Sequence, residues 1–437
     1  MSIDWTALVI VVFLIYYAAV ERLKAKGTLE KHNISSFGPI LMIRTTHGLN
    51  FLEKISKTKL FWRFFANLGI PAVFAGMIFM FILIILTDIV LFTTPPPPSE
   101  LTEPRNILLL PGVNKYIPLA WGLIGLIVTL IIHEFSHAIL SRVEEVRVKS
   151  LGILYVLIPI GGFAEPDEEE LMGENAKTTR MQRIRIFSAG VISNFVVALI
   201  AFLLFMCLLN SISSNGVYVS GIYRGFPAEE AGITPGLAIF KINETYTPDL
   251  KTFQERMAKT KPGETIKVYA YDDKGNLSEF TLNLTKNPHG ESGFMGVEVV
   301  DVLRALKEMP VHLNSIGGWL MFISMPFTFF GGFTGVFMYS FEPTGFWADT
   351  GNLVFYILNM LYWIGWINFY VGLFNCLPAI PLDGGRVFYE SFSAILTRRY
   401  GKRGEEISVM MVKFLAFLIF SSIFLSILIP NMSRFMT

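Results

Sequence analysis

Ile131-Ile132-His133-Glu134-Phe135-Ser136-His137-Ala138 closes an apolar run at about 117–141, and the rest of the chain is read outward from it. On a helix, His133 and His137 stand four residues apart on one face, with Cβ atoms about 5–6 Å from each other. Two imidazoles so placed can grip one Zn²⁺, and Glu134 sits beside them to take a proton from bound water. The five-residue pattern also arises by chance in soluble helices. Here it lies inside an apolar span, where ionisable side chains are expensive and mark function. Reading the two histidines as merely structural would leave three polar groups in lipid without a purpose.

Composition agrees with a membrane setting. Of 437 residues, 52% are hydrophobic and 16% charged, and the mean hydropathy is +0.52. Soluble domains carry about 25% charged residues. A net charge of +1 leaves no overall field to recruit nucleic acid. The two cysteines, Cys207 and Cys376, both fall in apolar runs, against a disulfide framework or a thiolate metal site.

Apolar runs long enough to span a bilayer lie at about 4–20, 68–93, 117–141, 186–210, 352–376 and 407–430. The first is short and reads as an uncleaved anchor in preference to a signal peptide, since Glu21-Arg22-Leu23-Lys24 follows it in place of a small-residue cleavage site. A further apolar stretch, 313–340, is broken by Gly317, Gly318, Pro326, Gly331, Gly332 and Gly335. Lysine and arginine concentrate after the first span (Arg22 to Arg63), after the third (Arg142 to Arg185) and between Arg386 and Arg403. All three segments face the cytoplasm under the positive-inside rule if 313–340 makes no net crossing. The expectation is therefore six spans, with 313–340 interfacial or re-entrant.

Zinc in a catalytic site needs a third protein ligand and an open position. His32 and His47 lie in the first cytoplasmic segment, and His289 and His312 go with the far side. Cys207 is near the outer end of its span, whereas Cys376 closes the fifth and is harder to dismiss. The better candidate is Asp383, in Asn375-Cys376-Leu377-Pro378-Ala379-Ile380-Pro381-Leu382-Asp383-Gly384-Gly385. Its prolines and paired glycines break the helix and let the chain turn back. The third and fifth spans both run from outside to inside, so Asp383 comes to the same membrane face as His133 and His137.

Residues 214–302 change character, with strand-like alternation (Val217, Val219; Ile266, Val268) and turns at Lys261-Pro262-Gly263 and Asp273-Lys274-Gly275. The run Gly225-Phe226-Pro227-Ala228-Glu229-Glu230-Ala231-Gly232-Ile233-Thr234-Pro235-Gly236 resembles the core signature of a bacterial-type PDZ domain. Phe294-Met295-Gly296-Val297 resembles its peptide-binding loop, late in sequence as in a circular permutation. That likeness implies a C-terminal or extended peptide bound at a sheet edge, with Phe294 and Gly296 in contact with it. A structural β insert without a ligand is the alternative to that reading. Span parity makes the insert extracytoplasmic.

HEFSH in a membrane helix followed by NCLPAIPLDGG resembles the site-2 protease family of intramembrane zinc metalloproteases, over about residues 117–393. The resemblance implies that His133, His137 and Asp383 hold one Zn²⁺ per chain and that Glu134 activates water. It implies hydrolysis of a peptide bond in or near a transmembrane helix of substrate membrane proteins, as in regulated intramembrane proteolysis. Leu154 to Phe163, which includes Gly161 and Gly162, resembles the family's re-entrant β hairpin, which holds substrate extended. Ser188-Ala189-Gly190-Val191-Ile192-Ser193-Asn194 resembles the next helix, with Val191 where many members carry proline. Asn194 either donates a hydrogen bond at the site or makes an interhelical contact. Asn375 either binds substrate backbone or caps the helix break. The acidic run Glu165, Asp167, Glu168, Glu169 and Glu170 reads as a solvated stretch, and Asp88 as interfacial. The first two spans carry none of the shared motifs and are assigned packing or gating.

The expected fold is thus a polytopic α-helical membrane protein of about six spans with a re-entrant β hairpin and an inserted extracytoplasmic PDZ-like α/β domain. Its parts are 1–116 (N-terminal membrane segments and cytoplasmic loop), 117–213 (first half of the catalytic core), 214–302 (PDZ-like) and 303–437 (second half and C-terminal helix). The expected setting is the lipid bilayer of the cell membrane, with the active site toward the cytoplasm and no nucleic-acid partner. Two other classes compete: a metal transporter, which spreads its ligands along a pore, and a non-catalytic PDZ-containing membrane adaptor, which has no need of Glu134.

Overall fold

The computed structural model describes residues 5–99, 102–107, 110–173, 176–329 and 332–435. Gly331 and the first residue of the expected 4–20 span lie outside the described residues. In chain order the helices are α1 (Trp5–Ala25), α2 (Thr28–Lys31), α3 (Leu49–Ser56), α4 (Lys59–Thr93), α5 (Pro104–Ile107), α6 (Leu119–Val143), α7 (Glu168–Met172), α8 (Arg180–Leu208), α9 (Pro227–Glu230), α10 (Leu250–Ala258), α11 (Val302–His312), α12 (Ile316–Thr328), α13 (Leu353–Asn375), α14 (Asp383–Tyr400) and α15 (Lys402–Phe435). The chain divides into two compact units. One comprises Met1–Asn114, Gly122–Leu199 and Ile364–Thr437, the other Lys115–Trp121 and Ile200–Trp363.

Among the described residues, five helices are long and apolar enough to cross a membrane: Lys59–Thr93, Leu119–Val143, Arg180–Ser211, Leu353–Asn375 and Lys402–Met432. They coincide with the second to sixth expected spans, and the protein is a multi-pass membrane protein. The first expected span falls on α1, a helix of 21 residues. Several helices outrun their apolar stretches. α4 begins nine residues before the expected 68, α8 six before 186, and α15 five before 407. The bilayer limits the apolar length only. Once nucleated, a helix continues into its charged foot, here Arg63 or Arg180 to Arg185.

Within the first unit, close packing rests on small residues. A Cβ at Gly69 of α4 would stand 3.0 Å from the Ser188 carbonyl and from Ile192 of α8, so the two backbones approach directly. Lipid gives helices no hydrophobic reason to associate, and small residues supply the contact instead. Gly76, two turns on, makes room for the Cys376 side chain. Both glycines bear out a packing role for α4.

The expected hairpin is present and is wider than expected. Strands β1 (Ile34–Phe37), β2 (Ile40–Thr45), β3 (Val148–Val156) and β4 (Ile158–Pro166) form one antiparallel sheet in the order β1-β2-β3-β4. β4 is therefore an edge strand. The acidic run departs in part from the solvated reading: Glu168 and Glu169 are exposed, but the other three are engaged. Glu165 accepts hydrogen bonds from Ser150 Oγ at 2.5 Å and Arg44 Nε at 3.1 Å. Asp167 caps the N-terminus of α7, and Glu170 accepts from the Arg147 backbone N–H and from Lys177. Asp88 accepts from Ser422 Oγ at 2.7 Å, tying α4 to α15.

The second unit holds β5 (Ile212–Ser214), β6 (Val217–Ile222), β7 (Ala238–Ile242), β8 (Thr245–Tyr246), β9 (Thr265–Tyr271), β10 (Leu277–Asn283), β11 (Thr285–Lys286), β12 (Gly293–Phe294), β13 (Val297–Val300) and β14 (Phe341–Pro343). Its main sheet runs β10-β9-β7-β6-β13, with β8 paired to β7 and the edge at β13 open. Val217, Val219, Ile239, Ile242, Ile266 and Val268 are buried in its core with Phe253 of α10. In the 313–340 stretch, α12 is a helix of 13 residues. At 1.5 Å per residue it is too short to cross a bilayer. The irregular chain after it is supported by Asn359 of α13, whose side chain accepts from the Phe333 backbone N–H at 2.8 Å and donates to the Phe333 carbonyl at 3.2 Å.

Just beyond α6, Glu144 is 3% exposed and accepts hydrogen bonds from Arg63 (2.9 and 3.2 Å), Gln182 (2.9 Å) and Arg185 (3.3 Å), joining the feet of α4, α6 and α8. Burial by itself raises this carboxyl, but Arg63, Gln182 and Arg185 outweigh it and hold it below the usual carboxylate range. A depressed folded value gives stability that is present above the unfolded value, about 4.3, and is lost as pH falls through the folded one. The thermal midpoint of the detergent-purified chain should therefore drop on acidification below about pH 4.3. Glu144→Gln should lower the midpoint at neutral pH and flatten that acid dependence. Equal acid sensitivity in the two proteins is the contrary result.

Candidate functional site

Helix periodicity sets the first two groups. His133 and His137 share one face of α6, their rings 4.7 Å apart edge to face. Asp383 opens α14 directly after the turn that follows α13. That turn folds tightly because Gly384 and Gly385 lack side chains. A Cβ at Gly385 would lie 2.7 Å from the Ala379 carbonyl oxygen, and one at Gly384 would overlap the Cys376 carbonyl. The result carries the Asp383 Oδ2 to 3.1 Å from His133 Nε2 and 3.2 Å from His137 Nε2. The two Nε2 atoms are themselves 3.2 Å apart.

The outer nitrogens fix the tautomers. His137 Nδ1 lies 2.8 Å from the Ile186 carbonyl of α8, which can only accept, so Nδ1 carries the proton and Nε2 presents a lone pair inward. His133 Nδ1 faces the side-chain amide of Asn194, fully buried on α8, at 3.2 Å. As placed, the amide nitrogen points at the ring and Oδ1 is without a partner. The reversed amide, indistinguishable in shape, lets Oδ1 accept from His133 Nδ1–H. Both histidines then turn lone pairs toward a carboxylate oxygen that accepts no hydrogen bond. Three acceptors at such range repel unless a cation lies among them.

The donor set suits that cation. Two imidazole nitrogens and one carboxylate oxygen lie within 4.8 Å of one another, and no other such group of His, Cys, Asp or Glu occurs among the described residues. Ligands at about 2.0–2.1 Å in tetrahedral array stand about 3.3 Å apart, close to the 3.1–3.2 Å seen. Cys376 is buried and its thiol donates to the Gly372 carbonyl at 3.3 Å, outside the group.

Glu134, half-buried, turns to the sheet. Its Oε2 accepts from the Ala164 backbone N–H of β4 at 3.0 Å. That donor lies on the side of β4 not paired with β3, the free edge. Gly162 stands under the same carboxylate: a Cβ there would be 3.6 Å from Glu134 Cγ and from the Leu130 carbonyl. Gly161 pairs with Leu154, and Phe163 with Gly152, its ring under Arg44 at 5.9 Å. Asn375 is half-buried at the C-terminal end of α13. Phe294 and Gly296 belong to the second unit, where Phe294 packs edge to face on Phe226 at 5.2 Å and the Gly296 carbonyl accepts from the Tyr223 N–H.

Sequence reasoning missed Gly190. A Cβ there would lie 2.6 Å from both His133 Cε1 and His137 Nε2, so only glycine lets α8 approach the two rings. Ser136 and Ser193, with oxygens 2.6 Å apart, close the same α6–α8 seam one residue from His137. A small-residue run in a span facing HEFSH is the signal that could have found both. Gly190→Ala should displace an imidazole and cut zinc per purified chain to below half. Parental zinc content in that variant would contradict the packing described.

Comparison with known proteins agrees in kind. Residues 121–419, more than half the chain, match peptidase family M50. An uncharacterised protein of Methanocaldococcus jannaschii is 26% identical over 402 residues, covering 91% of this chain and 89% of its own. A Clostridium perfringens protein named "Putative zinc metalloprotease" is 25% identical over 310 residues, covering 64% of this chain and 88% of its own. Among solved structures, the PDZ domain of an SdrC-like protein from Listeria monocytogenes matches at 22% identity and a TM-score of 0.19, covering 20% of this chain and 92% of that domain. With the family match spanning the histidine helix and the aspartate turn together, this chain belongs to peptidase family M50, the site-2 protease family, and is a membrane zinc metallopeptidase.

Proposed function

We propose that the chain hydrolyses a peptide bond within or near a transmembrane helix of substrate membrane proteins, in regulated intramembrane proteolysis, with one zinc per chain. One observation carries this reading: three lone-pair atoms from α6 and α14 converge to within 3.2 Å, with Glu134 beside them on the free edge of a β strand. His133, His137 and Asp383 would hold the ion. When bound, zinc supplies Lewis-acid polarisation of the scissile carbonyl and a water acidified to a pKa of about 7.

The chain's own groups do the rest. Asn194 and the Ile186 carbonyl keep the imidazoles in the tautomer that presents Nε2. Glu134 takes the proton of the attacking water and delivers it to the leaving amine. A substrate helix hides its peptide bonds in its own hydrogen bonds, so it must unwind first. The free edge of β4, with Gly161, Gly162 and Phe163, offers those groups new partners by strand addition. A strand entering there competes with Glu134 for the Ala164 N–H, so docking would release the carboxylate for its work. Asn375 would bind the substrate backbone.

The basic segments from Arg22 to Arg63, Arg142 to Arg185 and Arg386 to Arg403 support a site opening toward the cytoplasm. The insert at 214–302 reads as an extracytoplasmic PDZ-like domain. The open β13 edge, reached through Phe294 and Gly296, supports its binding a C-terminal or extended peptide and so filtering substrates.

Two sets of variants test the chemistry with purified chain and a membrane-spanning peptide. Glu134→Gln should keep its zinc and lose cleavage by about 10²–10⁴-fold, whereas Asp383→Ala should lose both. Parental cleavage by Glu134→Gln overturns the reading. Ala164→Pro removes the outward N–H that Glu134 accepts from and that an entering strand would use, at a position where an edge strand tolerates proline. It should retain zinc while cleavage drops about tenfold, roughly one lost hydrogen bond in a dry site. Undiminished cleavage would exclude strand addition at β4.

A further inference from the structure

α8 and α14 run antiparallel, meet directly at two levels along one stripe of each, and share a third through the α6 histidines. At the top, Asp383 reaches the imidazoles that fill the space over Gly190. One turn along, the Arg386 guanidinium lies 5.0 Å over the Phe187 ring. A further turn along, Arg183 forks onto Glu390, Nε to Oε1 at 2.6 Å and Nη2 to Oε2 at 2.9 Å. On α14 these are positions 383, 386 and 390, and on α8 they are 190, 187 and 183. Residues spaced by three and four share a helix face, so each set forms one stripe.

The lowest level is the most tightly specified. Arg183 and Glu390 side chains are 15% and 4% exposed, and Arg183 Nη1 also donates to the Thr178 carbonyl at 3.0 Å. Thr178 in turn donates to the Leu171 carbonyl, so the arginine is braced by the chain that follows the hairpin. Buried ion pairs are weak evidence for stability, because desolvation offsets their attraction; their best-attested use is to set register. A bidentate fork accepts one alignment. A slip of α14 by one residue along α8 moves every group on it by about 1.5 Å and turns it by about 100°. Either change would break the Arg183–Glu390 fork and remove Asp383 from the 3.1–3.2 Å approach it makes to the two nitrogens.

We propose that Arg183 and Glu390 are positioning residues, a register clamp that sets the height and rotation of the Asp383 carboxylate against the two histidines. The turn before Asp383 fixes where α14 begins, and the clamp fixes where α14 lies. This rests on the reading of His133, His137 and Asp383 as zinc ligands.

The deciding experiment measures zinc retention against a competing chelator in the purified full-length chain, alongside its thermal midpoint and peptide cleavage. Removing one partner alone strands a buried charge and can unfold the protein, so the main variant is Arg183→Met with Glu390→Leu, which keeps the volume and removes both charges. It should hold a near-parental midpoint, yet release zinc about 10–100-fold more readily, with kcat reduced and KM little changed. Arg183→Lys keeps the charge without the fork and should shift zinc retention in the same direction by less. It decides the matter if the double variant does not fold. Parental zinc retention in the folded double variant, or in Arg183→Lys where that is the one that folds, overturns the clamp. A parent chain that binds no zinc overturns instead the reading of the site on which the clamp depends.

Discussion

Three lone pairs facing one another inside an apolar bundle are the constraint on which this structure turns. Alone, His133 Nε2, His137 Nε2 and Asp383 Oδ2 at 3.1–3.2 Å would repel, and each would forgo hydration on entering the bundle. The surrounding structure over-determines their approach. α8 lines the site along its length: Ile186 and Asn194 set the tautomers, Gly190 makes room for the rings, and Ser193 meets Ser136. α4 in turn lies on α8 and on Cys376 through Gly69 and Gly76. A segment without any of the family's motifs thus bears on the site through backbone contact.

The same economy governs polar groups throughout the first unit. Glu144 gathers Arg63, Arg185 and Gln182 where three helices emerge, and Glu165 gathers Ser150 and Arg44 within the sheet. Both keep charge at the edges of apolar packing and never singly, as a bilayer protein requires. The sheet contributes a different resource, an edge strand whose outward Ala164 N–H donates to the Glu134 carboxylate. Edge strands are usually liabilities, blunted by charge or by cover. Here glycines and an alanine let the edge approach Glu134 closely.

How much of this was legible follows from the range of each signal. HEFSH is local: four residues on a helix place two rings on one face wherever the helix lies. Helical spans and the β-rich insert are nearly as local, since hydropathy and period-two alternation need no partner. β1 and β2 carried a readable signal, Ile34-Ser35-Ser36-Phe37 and Ile40-Leu41-Met42-Ile43 about a Gly38-Pro39 turn, but the pairing of β2 with a strand more than 100 residues later did not. Glu165 and Glu170 look solvated in sequence because their partners, Arg44 and the Arg147 backbone, are brought near only by the sheet and the chain reversal.

The amino-acid sequence by itself therefore determined the membrane setting, the paired histidines with their glutamate, the candidacy of Asp383 and the presence of a β insert, because periodicity, hydropathy and turn chemistry act over a few neighbouring residues. Only the tertiary structure decided that Asp383 shares one point with the histidines, that Gly190 must lack a side chain, that Glu134 rests on Ala164, and that Arg183 meets Glu390. These depend on how α6, α8 and α14 are aligned. Alignment between helices far apart in the chain is set by packing and by buried charge pairs, which no local pattern encodes.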